Sequence, residues 1–444
     1  MAAVPSPESS RPRRGRMFEA LIANRDYRRF YMGHGVSLVG TWMQAAAVNW
    51  IVYELTDSAW WLGVVEAANL LPGLVVGLIA GAIADRSVPR STVLSTQLVQ
   101  LILATTLAVL FSLGLIRLWH LIALLALSRV GNTFEMPARQ VFLYELVGRE
   151  HLGNAIALNV GLFNASRVVG PALAGVCLAW LGRSAPFILN ALSFLAAIAA
   201  VLSIPGRPAP PVRSGQGPAD LLGGFAYLRQ DRRVAVLFGL MAFFGVAGMG
   251  YNAMLAAYAR DSIGTQELGY SALLASAGSG AVAGALGVAR LGGRVRREML
   301  IVLGLGLFAS SLAGLGAVPL LLGPIAPSGV PAAAAMLCLF GAGFGAITYT
   351  SSIQTMIQLD VPDRLRGRVA GIWLIVFSGS VPMGALLTGR LAQWLGVEPV
   401  LVASGVLCGA AALGLGSSRL LDRLGAHPRT RDPAEAPLGA ARPG

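Results

Sequence analysis

The chain has 444 residues, 55% of them hydrophobic and only 12% charged, with a mean hydropathy of +0.67 and a formal net charge of +13. A soluble domain carries about 25% charged residues, so the charge needed to cover a water-facing surface is missing and a soluble globular protein is excluded. The basic excess invites a nucleic-acid reading, but all 34 basic residues are arginine and their placement follows membrane topology.

Residues 1–29 are polar, proline-rich and basic, without the apolar stretch and cleavage site of a secretory leader. They read as a cytoplasmic arm. A helix needs about 20 apolar residues to cross the hydrocarbon core. Windows of that kind fall near 30–53, 60–83, 92–113, 118–137, 155–180, 185–204, 234–257, 270–289, 299–321, 331–351, 369–389 and 399–417. They predict an all-α membrane protein with twelve transmembrane helices. Residues 419–444 read as a disordered cytoplasmic tail.

The arginines orient the spans. Arg117, Arg183, Arg260 and Arg390 fall on one face, and Arg129 and Arg167 lie within spans. All the others lie in the N-terminal arm, the tail and the connections of the opposite face. Such a bias in short loops places the basic side in the cytoplasm, and with it both termini, in the inner membrane of a bacterial cell. The longest connection, 205–232, opens with Pro205-Gly-Arg-Pro-Ala-Pro-Pro211, a linker by composition. Leu221, Leu222, Phe225 and Leu228 then share one helical face, as expected of a short helix on the membrane surface. The linker separates an N-terminal half, 30–204, from a C-terminal half, 233–418.

A weak internal repeat supports that division. Gln140 … Val147-Gly-Arg-Glu150 … Gly153 aligns without gaps onto Gln354 … Val361-Pro-Asp-Arg364 … Gly367, at an offset of 214 residues. Two six-helix halves related by parallel repetition form a known transporter plan, with the substrate site between them at mid-membrane.

Between the second and third spans stands Gly81-Ala-Ile-Ala-Asp85-Arg86-Ser-Val-Pro-Arg90. This loop resembles the G-x-x-x-D-R-x-x-R signature of the major facilitator superfamily. The resemblance implies a cytoplasmic conformational gate formed by Gly81, Asp85, Arg86 and Arg90. The corresponding second-half loop, Arg290-Leu-Gly-Gly-Arg294-Val-Arg296-Arg297, has no acid, which makes the gate one-sided. Leu38-Val-Gly-Thr-Trp-Met43, Val52-Tyr-Glu-Leu-Thr56, Phe134-Glu-Met-Pro-Ala-Arg-Gln140 and Arg167-Val-Val-Gly-Pro171 narrow the likeness to the drug and siderophore exporter branch. Gly170, Pro171 and Gly175 resemble the helix-kink motif associated with export. Pro171 removes a backbone hydrogen bond, and small neighbours allow close packing. Ala157 and Ser166 stand where that motif has earlier glycines.

A charge at the bilayer centre costs about 2.5–3.5 kcal/mol on insertion scales, so each one needs a reason. Glu66, in the second span, suits a proton carrier, a solvated carboxyl near the outer surface, or a partner for another helix. Arg129 loosely resembles the superfamily's fourth-span arginine, which is associated with proton coupling. Glu135 and Arg139 are four residues apart and can pair on one helical face; gating or structure is expected of them. Arg167, midway along the fifth span, keeps its charge, so it binds an anionic substrate group or pairs with Glu66 or another acid. Gln44, Asn49, Asn69, Asn159, Asn164 and Asn252 are expected to line the cavity, with Trp42 and Trp50 adding aromatic surface.

Cys177, Cys338 and Cys408 lie far apart in apolar segments without ligand spacing. No cofactor, metal site or nucleophile–base constellation is legible, so an enzyme is not expected. The expectation is a monomeric exporter of a small amphiphilic molecule, driven by proton antiport through alternating access. A lysophospholipid flippase, an uncoupled facilitator and a non-transporting membrane sensor are the alternatives.

Overall fold

The computed structural model describes residues 18–84, 88–205, 227–292, 294–323, 327, 329–362 and 365–417. The expected disordered tail, Asp85, Arg86 and residues 206–226 of the linker lie outside them, as does most of the N-terminal arm; the end of the expected surface helix, 227–230, is helical. The described residues are almost entirely helical, without a strand. The helices are α1 (Glu19–Ala23), α2 (Arg25–Thr56), α3 (Ala59–Ala84), α4 (Pro89–Ser112), α5 (Leu118–Trp180), α6 (Ala185–Leu202), α7 (Arg232–Ala247) and α8 (Tyr251–Ala257). After a π-helical turn, Tyr258–Ser262, follow α9 (Glu267–Leu291), α10 (Arg297–Leu322), α11 (Val330–Asp360), α12 (Arg366–Leu395) and α13 (Val397–Ser417).

Among the described residues, ten helical stretches are long and apolar enough to cross a membrane. Helix α2 is not one of them, although it has 32 residues. Arg25, Asp26, Arg28, Arg29, His34, Gln44, Asn49 and Glu54 dilute its apolar run.

The gap expected between residues 137 and 155 is helical. Helix α5 runs for 63 residues and breaks only at Gly148, with φ 67° and ψ −177°. The sequence reads as a loop there because its apolar face is narrow. Ala138, Phe142, Leu143, Leu146 and Val147 recur at helical spacing and pack with Tyr27, Phe30 and Val201. Helix α5 also folds back on itself. Going up α2, Phe30 meets Phe142 and His34 meets Arg139, whereas Tyr27, Tyr31 and Trp42 meet Ala155, Leu158 and Phe163. The two legs therefore run in opposite directions along α2.

Helix α2 packs on α5 and α6, α3 on α5, and α4 on both α5 and α6; further along the chain, α11 packs on α9 and α10, α10 on α13, and α7 on α12. Two seams join these groups, α3 with α12 and α5 with α9. Both depend on missing side chains. A Cβ on Gly63 would strike the Ala385 carbonyl, and one on Gly175 would strike Ser271 and lie 2.9 Å from the Glu267 carbonyl.

Polar contacts close the seams at the end opposite the described N-terminus. The Tyr53 hydroxyl donates to Asp261, Arg260 lies 3.7 Å from Asp57 and 5.7 Å over the Tyr53 ring, and Ser58 donates to Gln393 at 2.7 Å. Trp50 packs on Tyr270 with ring centroids 5.4 Å apart, and Arg390 sits 4.4 Å over Trp394 and 5.7 Å over Trp60. Asp57 caps α2 with φ 47°, a left-handed conformation that turns the chain directly into this cluster.

Two outcomes are expected. Gly63→Leu forces α3 from α12 and lowers the stability of the purified protein by about 1–3 kcal/mol in a thermal melt, the usual cost of overpacking. Arg260→Ala loosens the closed end. A cysteine at Ser58, in a background with the three native cysteines replaced, should then react several-fold faster with a bulky thiol reagent; an unchanged rate would show that Arg260 does not hold this end shut.

Candidate functional site

Polar side chains inside an apolar bundle gather where several helices can satisfy them together. The first such group forms around Glu66 of α3. Arg129, on the first leg of α5, donates from Nε to the Asn69 carbonyl at 2.5 Å, and its charge interacts with that of Glu66. Gly73 makes room: a Cβ there would come within 3.0–3.1 Å of the Arg129 side-chain carbons. Pro72 in the same helix withholds an N–H from its own ladder and favours a bend. From the other side of the seam, Tyr270 of α9 brings a fully buried hydroxyl beside Asn49 and within range of the Glu66 charge. Asn49, Glu66, Arg129 and Tyr270 thus converge from four helices.

Arg167 lies on the second leg of α5. Its guanidinium stands 5.9 Å from the centre of the Trp42 ring, and Phe163 meets the same ring edge-on at 5.5 Å. Gly170, one turn later, lets the helix close on Trp42 and Met43; a Cβ there would lie 2.9 Å from the Met43 nitrogen. Pro171 follows inside the helix. Tyr251 of α8, buried at 3% exposure, faces Arg167 from across the seam and carries Asn252 beside its hydroxyl. Among the described residues Arg167 has no carboxylate in ion-pair reach. Of the acids expected within spans, Glu135 pairs with Arg139 and Glu66 interacts with the Arg129 charge.

A third group lies closer to the N-terminal end. Glu135 is 4% exposed and accepts from Gln97 at 3.0 Å and Thr96 at 3.4 Å, with Arg139 at 3.7 Å. Arg139 in turn reaches the ring nitrogen of His34 at 2.9 Å, and His34 stacks on Phe30. All of these contacts stay among α2, α4 and α5. Arg90 caps the end of α6, donating to the Val201 and Leu202 carbonyls at 3.3 and 3.4 Å, as suits a cation at a helix C-terminus. Gly81 belongs to α3, but its surroundings, like Asp85 and Arg86, lie outside the described residues.

The asparagines and glutamine disperse. Gln44 accepts from Asn190 of α6 at 2.8 Å, Asn164 donates to its own helix at Val160, and Asn252 donates to Met249 at 3.3 Å. The Asn159 side-chain oxygen is buried without a hydrogen-bond partner. Sequence reasoning overlooked Tyr251 and Tyr270 because it searched the second half for charge and found little. Their signal was a phenol set among small residues, Gly250-Tyr251-Asn252 and Gly269-Tyr270-Ser271.

The comparisons with known proteins agree with this architecture. Residues 20–438 match the family described as transmembrane secretion effector. The chain is 29% identical over 408 residues to the multidrug efflux pump Tap of Mycolicibacterium fortuitum, covering 88% of this chain and 94% of that protein. It is 30% identical over 277 residues to the enterobactin exporter EntS of Escherichia coli O1:K1, an alignment that spans 61% of each. Among solved structures, the nucleoside transporter NupG superposes with a TM-score of 0.71 at 11% identity, covering 88% of this chain and 99% of that one. A bacterial homologue of the lysosomal transporter Spinster, in an inward-facing unoccupied conformation, gives a TM-score of 0.68 at 14% identity, covering 91% and 98%. Those two structures speak for the fold alone. With a membrane fold of this kind and a family match over nearly its whole length, the chain belongs to the transmembrane secretion effector family of the major facilitator superfamily, whose members here are efflux transporters and not enzymes.

Proposed function

We propose that this protein exports a small amphiphilic molecule in exchange for protons by alternating access. The observation that carries the reading is the placement of Arg129, which donates to the Asn69 carbonyl one turn from Glu66, with the buried Tyr270 of the other group of helices within range of the Glu66 charge. A carboxyl is the group in this seam that gains and loses a proton, Arg129 stabilises its charged form, and Tyr270 makes its surroundings depend on whether the seam is shut. The multidrug pump and the siderophore exporter to which the chain is similar support an amphiphilic drug, siderophore or secondary metabolite as cargo.

The architecture we assign has twelve spans. Helix α5 counts as two because it folds back at Gly148, α2 counts as one despite its polar residues, and nine further helical stretches complete the set. The N-terminal half, 30–204, and the C-terminal half, 233–418, are then joined by the linker 205–232, with arm and tail in the cytoplasm of a bacterial cell and the monomer as the working unit. In that orientation the closed polar end faces outward. Asp85, Arg86 and Arg90 belong to the cytoplasmic gate, while Glu135, Arg139 and His34 brace the helices behind it.

Purified protein in proteoliposomes carrying a pH-sensitive dye tests the mechanism. Addition of a transported drug should release protons in the wild type. Glu66→Gln should cut that release at least about tenfold, the factor that 1.4 kcal/mol represents, at unchanged drug binding. Substrate movement indifferent to the proton gradient and to Glu66→Gln would instead support a facilitator or lipid flippase. Glu135→Gln has a different signature. It should leave proton release within about twofold yet destabilise the protein by about 1–3 kcal/mol in a thermal melt, because Arg139 loses its charged partner.

A further inference from the structure

Resting on the exporter reading, the environment of Arg167 allows the class of ligand to be narrowed. A guanidinium keeps its proton in any protein environment, and within the membrane region a cation needs an acid, water or a ligand opposite it. Arg139 has Glu135 at 3.7 Å, and Arg129 has the Asn69 carbonyl at 2.5 Å and the Glu66 charge beyond it. Arg260 has Asp57, Arg183 has Glu54, and Arg233 has Asp360 at 3.0 Å. Arg167, partly exposed in the seam, has instead the face of the Trp42 ring and no acid in ion-pair reach among the described residues.

The shape of the surroundings is as informative as the charge. Trp42 and Phe163 form an apolar wall perpendicular to each other, with interplanar angle 77°, and Tyr251 stands across the seam. Aromatic walls with one fixed cation suit a flat apolar body that carries a single negative group: the rings cover the body, and the planar fork of the arginine takes a carboxylate or sulfonate through two charge-assisted hydrogen bonds. A cationic drug would meet like charge at the same place.

We infer that Arg167, with Trp42 and Phe163, forms the anion-binding subsite of the transport cavity, and that its ligands are aromatic organic anions. Arg167 lies on the α5–α9 seam, where a Cβ on Gly278 of α9 would come 3.3 Å from its carbonyl oxygen, so an occupant sits beside the contact between the two sides. Its binding therefore differs between the open and closed arrangements, which is what a transported ligand requires.

The test compares naphthoate with naphthamide, which share one ring system and differ in charge. Each is titrated calorimetrically into the full chain in phosphatidylcholine nanodiscs, so that binding is read without transport. Naphthoate should bind at least about tenfold more tightly than naphthamide, as one charge-assisted hydrogen-bonded pair provides. Arg167→Gln should remove that preference while naphthamide affinity stays within about twofold, and Arg167→Lys should retain part of it. Equal binding of the two probes, binding of neither, or a preference that survives Arg167→Gln overturns the assignment. Should Arg167→Gln fail to fold, the wild-type ratio decides. Loss of naphthoate binding in nanodiscs containing phosphatidylglycerol would overturn the soluble-ligand assignment by placing a lipid headgroup at Arg167. Absence of proton release with intact naphthoate preference would sink the antiport mechanism and leave the subsite standing.

Discussion

Removing a charge from water costs free energy that a bilayer interior cannot return, and the bundle is arranged around three guanidinium groups that meet this cost differently. Arg129 lies against a backbone carbonyl and interacts at longer range with the Glu66 charge, Arg139 lies against a carboxylate and an imidazole, and Arg167 lies over the Trp42 ring. The first answer places a titratable pair at the seam between helix groups. The second keeps its polar chain within α2, α4 and α5 and stiffens them. The third leaves unmatched charge facing the other group of helices. Each solution suits the role proposed for its neighbourhood: exchanging a proton, holding a shape, or holding an ion.

The seams themselves are built from small residues. At Gly63 and Gly175 the backbone of one helix touches the next without an intervening side chain, so α3 and α12, and α5 and α9, approach closely at a few points. Such contacts are dispersive and pack in one geometry or none. The hydrogen bonds and ion pairs at the closed end are different in kind, since water can replace them one at a time. The alternating access proposed above would use both, a tight pivot beside a replaceable polar rim.

Much of this was legible beforehand. The apolar windows give nearly every helix to within a few residues, because hydrocarbon thickness fixes a length that composition reveals. The exceptions have physical causes. The helix through 138–147 is stabilised by a narrow apolar face packed on Tyr27 and Phe30, so its mean composition reads as loop. The candidate residues Glu66, Arg129 and Arg167 announce themselves by cost alone. Their partners do not. Sequence left Arg167 free to pair with Glu66, and only the crossing of α3 with the first leg of α5 directs Glu66 to Arg129. Tyr251 and Tyr270 carry no formal charge and look like core until the seam brings them opposite Arg167 and Glu66. Long-range juxtaposition, which no local pattern encodes, separates a roster of polar residues from a site.

Gly148 bears on how these parts move. The direction of a 63-residue helical stretch reverses at this residue, whose φ of 67° and ψ of −177° only glycine adopts at little cost. A Cβ would meet nothing within 4 Å, so the demand is one of backbone torsion and not of space. Arg129, Glu135 and Arg139 ride on one leg of the hairpin, and Arg167 and Pro171 on the other. A joint of a single residue has no slack: when one leg slides or tilts, no loop takes up the difference, and the displacement appears in the other leg at nearly full size. Arg129 beside Glu66 and Arg167 at the far seam are in this sense two ends of one mechanical part.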